Sequence, residues 1–322
     1  MGQRWKPVIG LAVLAPVVVD VVFGATTVST PFALVPEVLT YGVGAVLVRE
    51  NVRSGRRGVA AIALLGAAFA LLSECVVVQT SVAPQPGDTG RMWGVTWPYL
   101  VFMVGWIAVW AFLVPIRIVE TACSGRPETA GPWLGRRART GFGVLFVLGC
   151  VVAWHQWTRV VRPRFLGLPV ADPPWPTIVA ALVAVALLAA LAATTPWPGP
   201  GARRPPRPVL IGATVVFATA LWTATTLAAP AWLPPAAGVV AALLVAAATA
   251  SAFAAWTASP EWSPAHRLAA VAGALVANSA AGFVLITFRS LPDLAGKIVV
   301  DAAAVGIVAW LARRERVPAA GR

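Results

Sequence analysis

Four carboxylic acids of this 322-residue chain, Asp20, Glu37, Glu74 and Asp301, lie inside long apolar stretches. An uncompensated charge at the centre of a bilayer costs roughly 2.5–3.5 kcal/mol on insertion scales, so each needs a partner, an aqueous cavity or a role. At a rise of ~1.5 Å per residue, Asp20 lies ~20 Å along a first helix read over 8–24, and Glu74 lies ~24 Å along a third read over 58–80. Glu37 sits ~9 Å below the outer end of a helix at 31–48, and Asp301 ~7 Å below that of one at 296–312. His155 is ~21 Å along a helix at 141–158, with Arg159 one turn further on the same face. Tyr41 follows Glu37 by one turn.

All of these groups fall in one layer of the outer half, and Asp20, Glu37, Glu74 and His155 are expected to share a cavity, with Asp301 a further candidate. Like charges gathered in a poorly solvated place resist simultaneous ionisation, which would make the layer a proton- or cation-binding site. The plain alternative is a set of independent near-interface acids solvated by headgroup water. Against it, short carboxylate stems snorkel poorly, and small neighbours such as Gly42, Gly66, Ala67 and Ala70 suit a helix interface.

Other chemistry is scarce. No two of Asp20, Glu37, Glu74 and His155 share the i, i+3 or i, i+4 spacing of a metal motif, so no metal is expected. H-E-x-x-H, G-x-S-x-G, P-loop and dinucleotide patterns are absent in any fitting context, so no cofactor is expected either. Only two histidines occur, His155 and His266. Cys75, Cys123 and Cys150 are far apart and read as free thiols. Adjacent residues on a helix face different directions, which disqualifies Ser73-Glu74-Cys75 as a nucleophile beside a base.

The elements that must carry these groups are membrane helices. The chain is 59% hydrophobic, 11% charged and has a mean hydropathy of +0.80, which predicts an all-α polytopic helical bundle in contact with membrane lipid. Windows of spanning length give ten helices: the four above and others near 94–116, 176–195, 209–229, 236–257 and 267–288, with 141–158 the fifth. Proline- and glycine-rich stretches punctuate them, including 84–87, 173–176, 196–200 and Pro234-Pro235. The N-terminal Arg4-Trp5-Lys6 and the run that follows lack a convincing cleavage site and read as an uncleaved first helix.

Assigning alternate loops to opposite sides puts nineteen of the 25 Lys and Arg residues on one face and six on the other. Basic residues are retained in the cytoplasm, so both termini are expected inside, in an inner membrane crossed ten times. Trp93, Trp97, Tyr99, Trp157, Trp175 and Trp232 then form an outer aromatic belt. The net charge of +13 is explained by this clustering, and nucleic acid is not an expected partner. The chain reads as one domain, 1–322, divisible into halves at 1–158 and 176–312. Gly273, Ala277 and Ala281 repeat at four-residue spacing, which allows close helix packing.

Tyr41-Gly42-Val43-Gly44 leads to Arg49-Glu50, then Arg53 and Arg56-Arg57, and a glycine-containing helix ending at Glu74. This pattern, Y-G-x-G-x-x-x-x-R-E followed by a helix with one or two glutamates, resembles an uncharacterised group of bacterial and archaeal polytopic membrane proteins over the first quarter of the chain. The resemblance implies a membrane fold and no activity, and Ser73 stands where a second glutamate would pair with Glu74.

Three functions are compatible with these residues. The favoured one is a secondary transporter or permease whose candidate proton-, cation- or substrate-binding groups are Asp20, Glu37, Tyr41, Glu74, His155, Arg159 and Asp301. A membrane-embedded enzyme would use Glu37 or Glu74 as base, with Arg159, Arg162 and Arg164 gripping an anionic, lipid-linked substrate. An accessory subunit would have no turnover. The sequence leaves substrate and oligomeric state open.

Overall fold

A computed structural model describes residues 5–85, 87–124, 131–195, 203–228, 232–288 and 290–316. Arg4, Pro86, Arg126, the 196–200 turn, Arg289 and Arg322, used above, lie outside the described residues.

The chain is an all-α bundle, and among the described residues nine helices are long and apolar enough to cross a membrane. In chain order they are α2 (Pro31–Ser54), α3 (Val59–Val77), α4 (Trp97–Cys123), α5 (Arg136–Phe165), α6 (Trp175–Thr194), α7 (Pro208–Ala228), α8 (Pro235–Thr257), α9 (Pro264–Leu285) and α10, which runs over Leu291–Arg316. They follow α1, residues 5–21, which is shorter than these nine. A two-stranded hairpin, β1 (Arg91–Met92) and β2 (Val95–Thr96), precedes α4.

Prolines begin several helices, among them Pro176 and Pro235, which read as loop punctuation. Pro98, Pro176, Pro208, Pro235 and Pro264 occupy the first turns of α4 and α6 to α9, where the missing amide would have no intrahelical partner in any case.

The centre is α4, whose spanning window is 61% buried, against 11% for α6 and α8. It packs on α1, α3, α7, α8 and α9. Phe112, Ile107 and Ile116 of α4 meet Leu11 of α1 and Ile62 of α3 in one core. Phe23 packs tilted against Trp106 at 4.6 Å between ring centres and Trp106 against Trp110 at 4.1 Å, and Trp110 Nε1 donates to the Ala274 carbonyl of α9 at 2.8 Å. The outer faces of α6 and α8 expose Leu187, Leu191, Leu243 and Leu244. In water such faces would be a liability; in lipid they are the solvent-matched surface of a multi-pass membrane protein.

The structure corrects three boundaries that bear on the site. α5 continues to Phe165, so Arg159, Arg162 and Arg164 lie on a helix and not in a loop. α10 begins at Leu291, which puts Asp301 ~15 Å from its N-terminal end, about twice the expected distance. Arg49, Arg53 and Lys297, counted above as loop charges, are buried side chains on helices.

Candidate functional site

The acids at the C-terminal ends of α1 and α3 and near the N-terminal end of α2 all sit at or beside π-helical turns. Asp20 lies in the turn Val17–Val21, Glu37 immediately precedes the turn Val38–Gly42 that carries Tyr41, and Glu74 lies in the turn Ser73–Val77. A π turn holds one residue more than an α turn and leaves a carbonyl without its usual i+4 amide, and such bulges concentrate at functional sites. Two have a local cause. Pro16 and Pro36 lack the amide that would continue the α ladder, and widening the following turn accommodates them.

The same displacement opens the backbone to neighbours. Ala12, whose carbonyl would have met the amide of residue 16, is approached by Gly42 of α2 so closely that no side chain could fit there. On the other side of α1, the Val18 carbonyl accepts Asn278 Nδ2 of α9 at 2.5 Å.

The side chains then gather around α1. Asp20 interacts electrostatically with Glu37 and Glu74, and Tyr41 with all three. Thr26 Oγ1 donates to Glu37 Oε1 at 2.5 Å, while Glu37 Oε2 is buried with no hydrogen-bond partner among the described residues. Glu74 is only 1% exposed, and its Oε2 accepts the hydroxyls of Thr80 and, at 3.0 Å, Ser81. Tyr41 packs 5.5 Å from Phe69. Among the described residues no three His, Cys, Asp or Glu side chains are grouped tightly enough to hold a metal ion.

The remaining candidates lie elsewhere. The buried residues of α5 up to His155 are Gly149 and Ala153; His155, two residues or ~200° beyond Ala153, is turned to the exposed side and does not join the acids. Arg159 pairs with Asp172 at 2.7 Å and lies over Trp154. Asp301 pairs with Lys297 one turn earlier on α10, and Lys297 Nζ also donates to Ser279 Oγ at 3.2 Å and sits 4.2 Å from the Phe283 ring. This second polar cluster joins α9 and α10, with the Lys297 stem against Gly24 at the end of α1.

A third cluster, on the opposite face, escaped the sequence reading. Glu120 accepts from Arg49 Nε at 3.2 Å and from Arg53 Nε and Nη2 at 2.6 Å each. Glu50 accepts from Arg49 Nη1 at 2.6 Å and from the Trp133 and Leu134 amides at 2.9 Å. The Trp133 ring lies 3.6 Å from the Arg49 guanidinium. Arg49, Glu50 and Glu120 are fully buried. The signal available in sequence was weak: adjacent Arg49-Glu50 at a helix end, and Glu120 three residues after Arg117 beyond the expected end of its helix. For Lys297 it was stronger, since four residues separate it from Asp301.

No protein-family model, curated protein or solved structure matches this chain.

Proposed function

We propose that the chain is a secondary transporter of a cell (inner) membrane, with ten spans, both termini cytoplasmic, and a proton- or cation-binding layer formed by Asp20, Glu37, Tyr41 and Glu74. The observation that supports this reading is that these four groups, from three helices, lie at or beside three π turns and within electrostatic reach of one another. Acids that sense one another across a poorly solvated layer exchange protons cooperatively, and π turns are the deformable points of otherwise rigid helices. α1, at seventeen residues, is at the lower limit of spanning length. Two of the three arginines that an anion-binding enzyme would need are engaged within the chain. Arg159 holds Asp172, and Arg162 donates to the carbonyls of Pro84 and Pro169.

The test is cation-driven proton flux in proteoliposomes loaded with a pH-sensitive dye, with sodium and potassium gradients as the probes. Glu74→Gln is expected to abolish the flux with unchanged insertion and expression, while Arg159→Gln retains it. Full flux in Glu74→Gln would remove Glu74 as the coupling residue, and equal loss in both variants would favour the enzyme reading.

A further inference from the structure

We propose that residues 78–85 and 87–96, between α3 and α4, form a lid that closes the acid layer from the outer side, and that Arg162 of α5 is its clasp. Connecting segments normally run over a protein surface. This one turns inward. α3 stops at Val77, and Gln79 takes a left-handed backbone (φ 61°), rare for a residue with a side chain, that reverses the chain toward the bundle. Gln79, Thr80, Ser81, Val82 and Ala83 are consequently all buried, Ser81 completely.

The lid's inner surface is hydroxyl. Thr80 and Ser81 both donate to Glu74, so the carboxylate is satisfied by the segment that covers it. The hairpin closes behind them, where the Thr96 amide donates to the Ser81 carbonyl at 2.9 Å. Arg91 Nη2 then ties the two limbs together through the carbonyls of Val82 at 2.5 Å and Gly94 at 3.0 Å.

Arg162 fastens this unit to the bundle. It is 2% exposed, its Nη2 donates to the Pro84 carbonyl, and its Nε to the Pro169 carbonyl at 2.8 Å. A guanidinium bound to neutral carbonyls forms a releasable fastening, since water can replace those acceptors without stranding an opposite charge. Beneath the lid, Cys75, next in sequence to Glu74, packs with Val82 and Val95. Lifting the lid uncovers Glu74 and Cys75 together.

The consequence for ion access rests on the transporter reading, but the lid is measurable without it. In full-length protein carrying Cys123→Ser and Cys150→Ser, Cys75 is the only thiol, and a membrane-impermeant maleimide is applied to right-side-out vesicles. Labelling is expected to be slow in this parent, at least tenfold faster in Arg162→Ala, and intermediate in Arg162→Lys. Arg91→Ala provides a second release of the lid if Arg162→Ala does not accumulate. Ile116→Cys, placed in the same background with Cys75→Ser, reports the core and is expected to stay protected. Unchanged Cys75 labelling on releasing the lid, acceleration of both cysteines alike, or labelling only from the cytoplasmic side would each overturn the proposal. Proton flux in Glu74→Gln reports on coupling separately, so failure of the lid and failure of the transport reading give different results.

Discussion

Glu120 compensates the guanidinium groups of Arg49 and Arg53 at once, with that of Arg117 3.9 Å away, in a place that water does not reach. Removing one partner of a buried ion pair leaves an uncompensated charge, typically at a cost of 3–5 kcal/mol. Glu120→Ala is therefore expected to lower the thermal midpoint of the purified protein in detergent by many degrees, or to prevent its accumulation. The Arg204–Glu261 pair is an internal comparison: its side chains are 83% and 52% exposed, at 2.7 Å separation. Such pairs contribute about 0–1 kcal/mol, so Arg204→Ala should leave the midpoint nearly unchanged. Similar losses in the two variants would show that the buried network is not a structural keystone. The residue scale also shows where sequence reasoning failed. A charge near the end of an apolar run counts as a loop charge until packing is known, and Arg49, Glu50, Glu120 and Lys297 all belong to buried networks.

At the scale of elements, close approach of backbones sets the geometry of the site. Gly42 packs on the Ala12 carbonyl, which is exposed because residue 16 is proline. Gly273 of α9 packs on Gly212 of α7, where a Cβ would come within 2.5 Å of the carbonyl oxygen. Gly42→Val must push α2 from α1 and carry Tyr41 and Glu37 with it. Overpacking of this kind costs roughly 1–3 kcal/mol or more, and the expected outcome is reduced folded yield by size-exclusion fluorescence together with weakened Glu74-dependent flux. Gly10, with nothing within 4 Å of an added Cβ, is the control, and Gly10→Val should behave as wild type. If Gly42→Val were equally tolerated, the tight α1–α2 crossing would not define the acid layer. The spacing of Gly273 and Ala277 made the α9 contact legible in advance. The π turns were less so, because a proline inside a membrane helix announces a perturbation without saying whether it kinks, breaks or widens the turn.

For the whole molecule, topology is the quantity on which the depth argument depends. Nine helices meet a strict spanning length among the described residues, and α1, slightly shorter, is the tenth if both ends are cytoplasmic. α1 is lined with core residues, Val8, Leu11, Ala15, Val18 and Val19, and packs against α2 and α4, so it is held at bundle depth whatever its length. Reporter fusions at residues 1 and 322 should both register as cytoplasmic, and one inserted between α1 and α2 at residue 28 as external. A C-terminus on the outside would remove α1 from the count and turn the lid toward the cytoplasm.

Composition and periodicity by themselves determined that this chain is a helical membrane bundle, and they placed six of the ten helices to within three residues at both ends, because a bilayer admits only apolar segments of about twenty residues with their backbones internally satisfied. They also singled out Asp20, Glu37 and Glu74, since the expense of an acid in lipid is visible without any fold. What only the tertiary structure decided is which groups meet. A helix displays its side chains around a full circle, and the face that turns inward depends on neighbours distant in sequence. Hence His155 points outward while Thr80 and Ser81, in what read as the end of a helix and a turn, close on Glu74. Hence also Arg162, which read as a grip for an anionic substrate, finds its partners in the carbonyls of two loops.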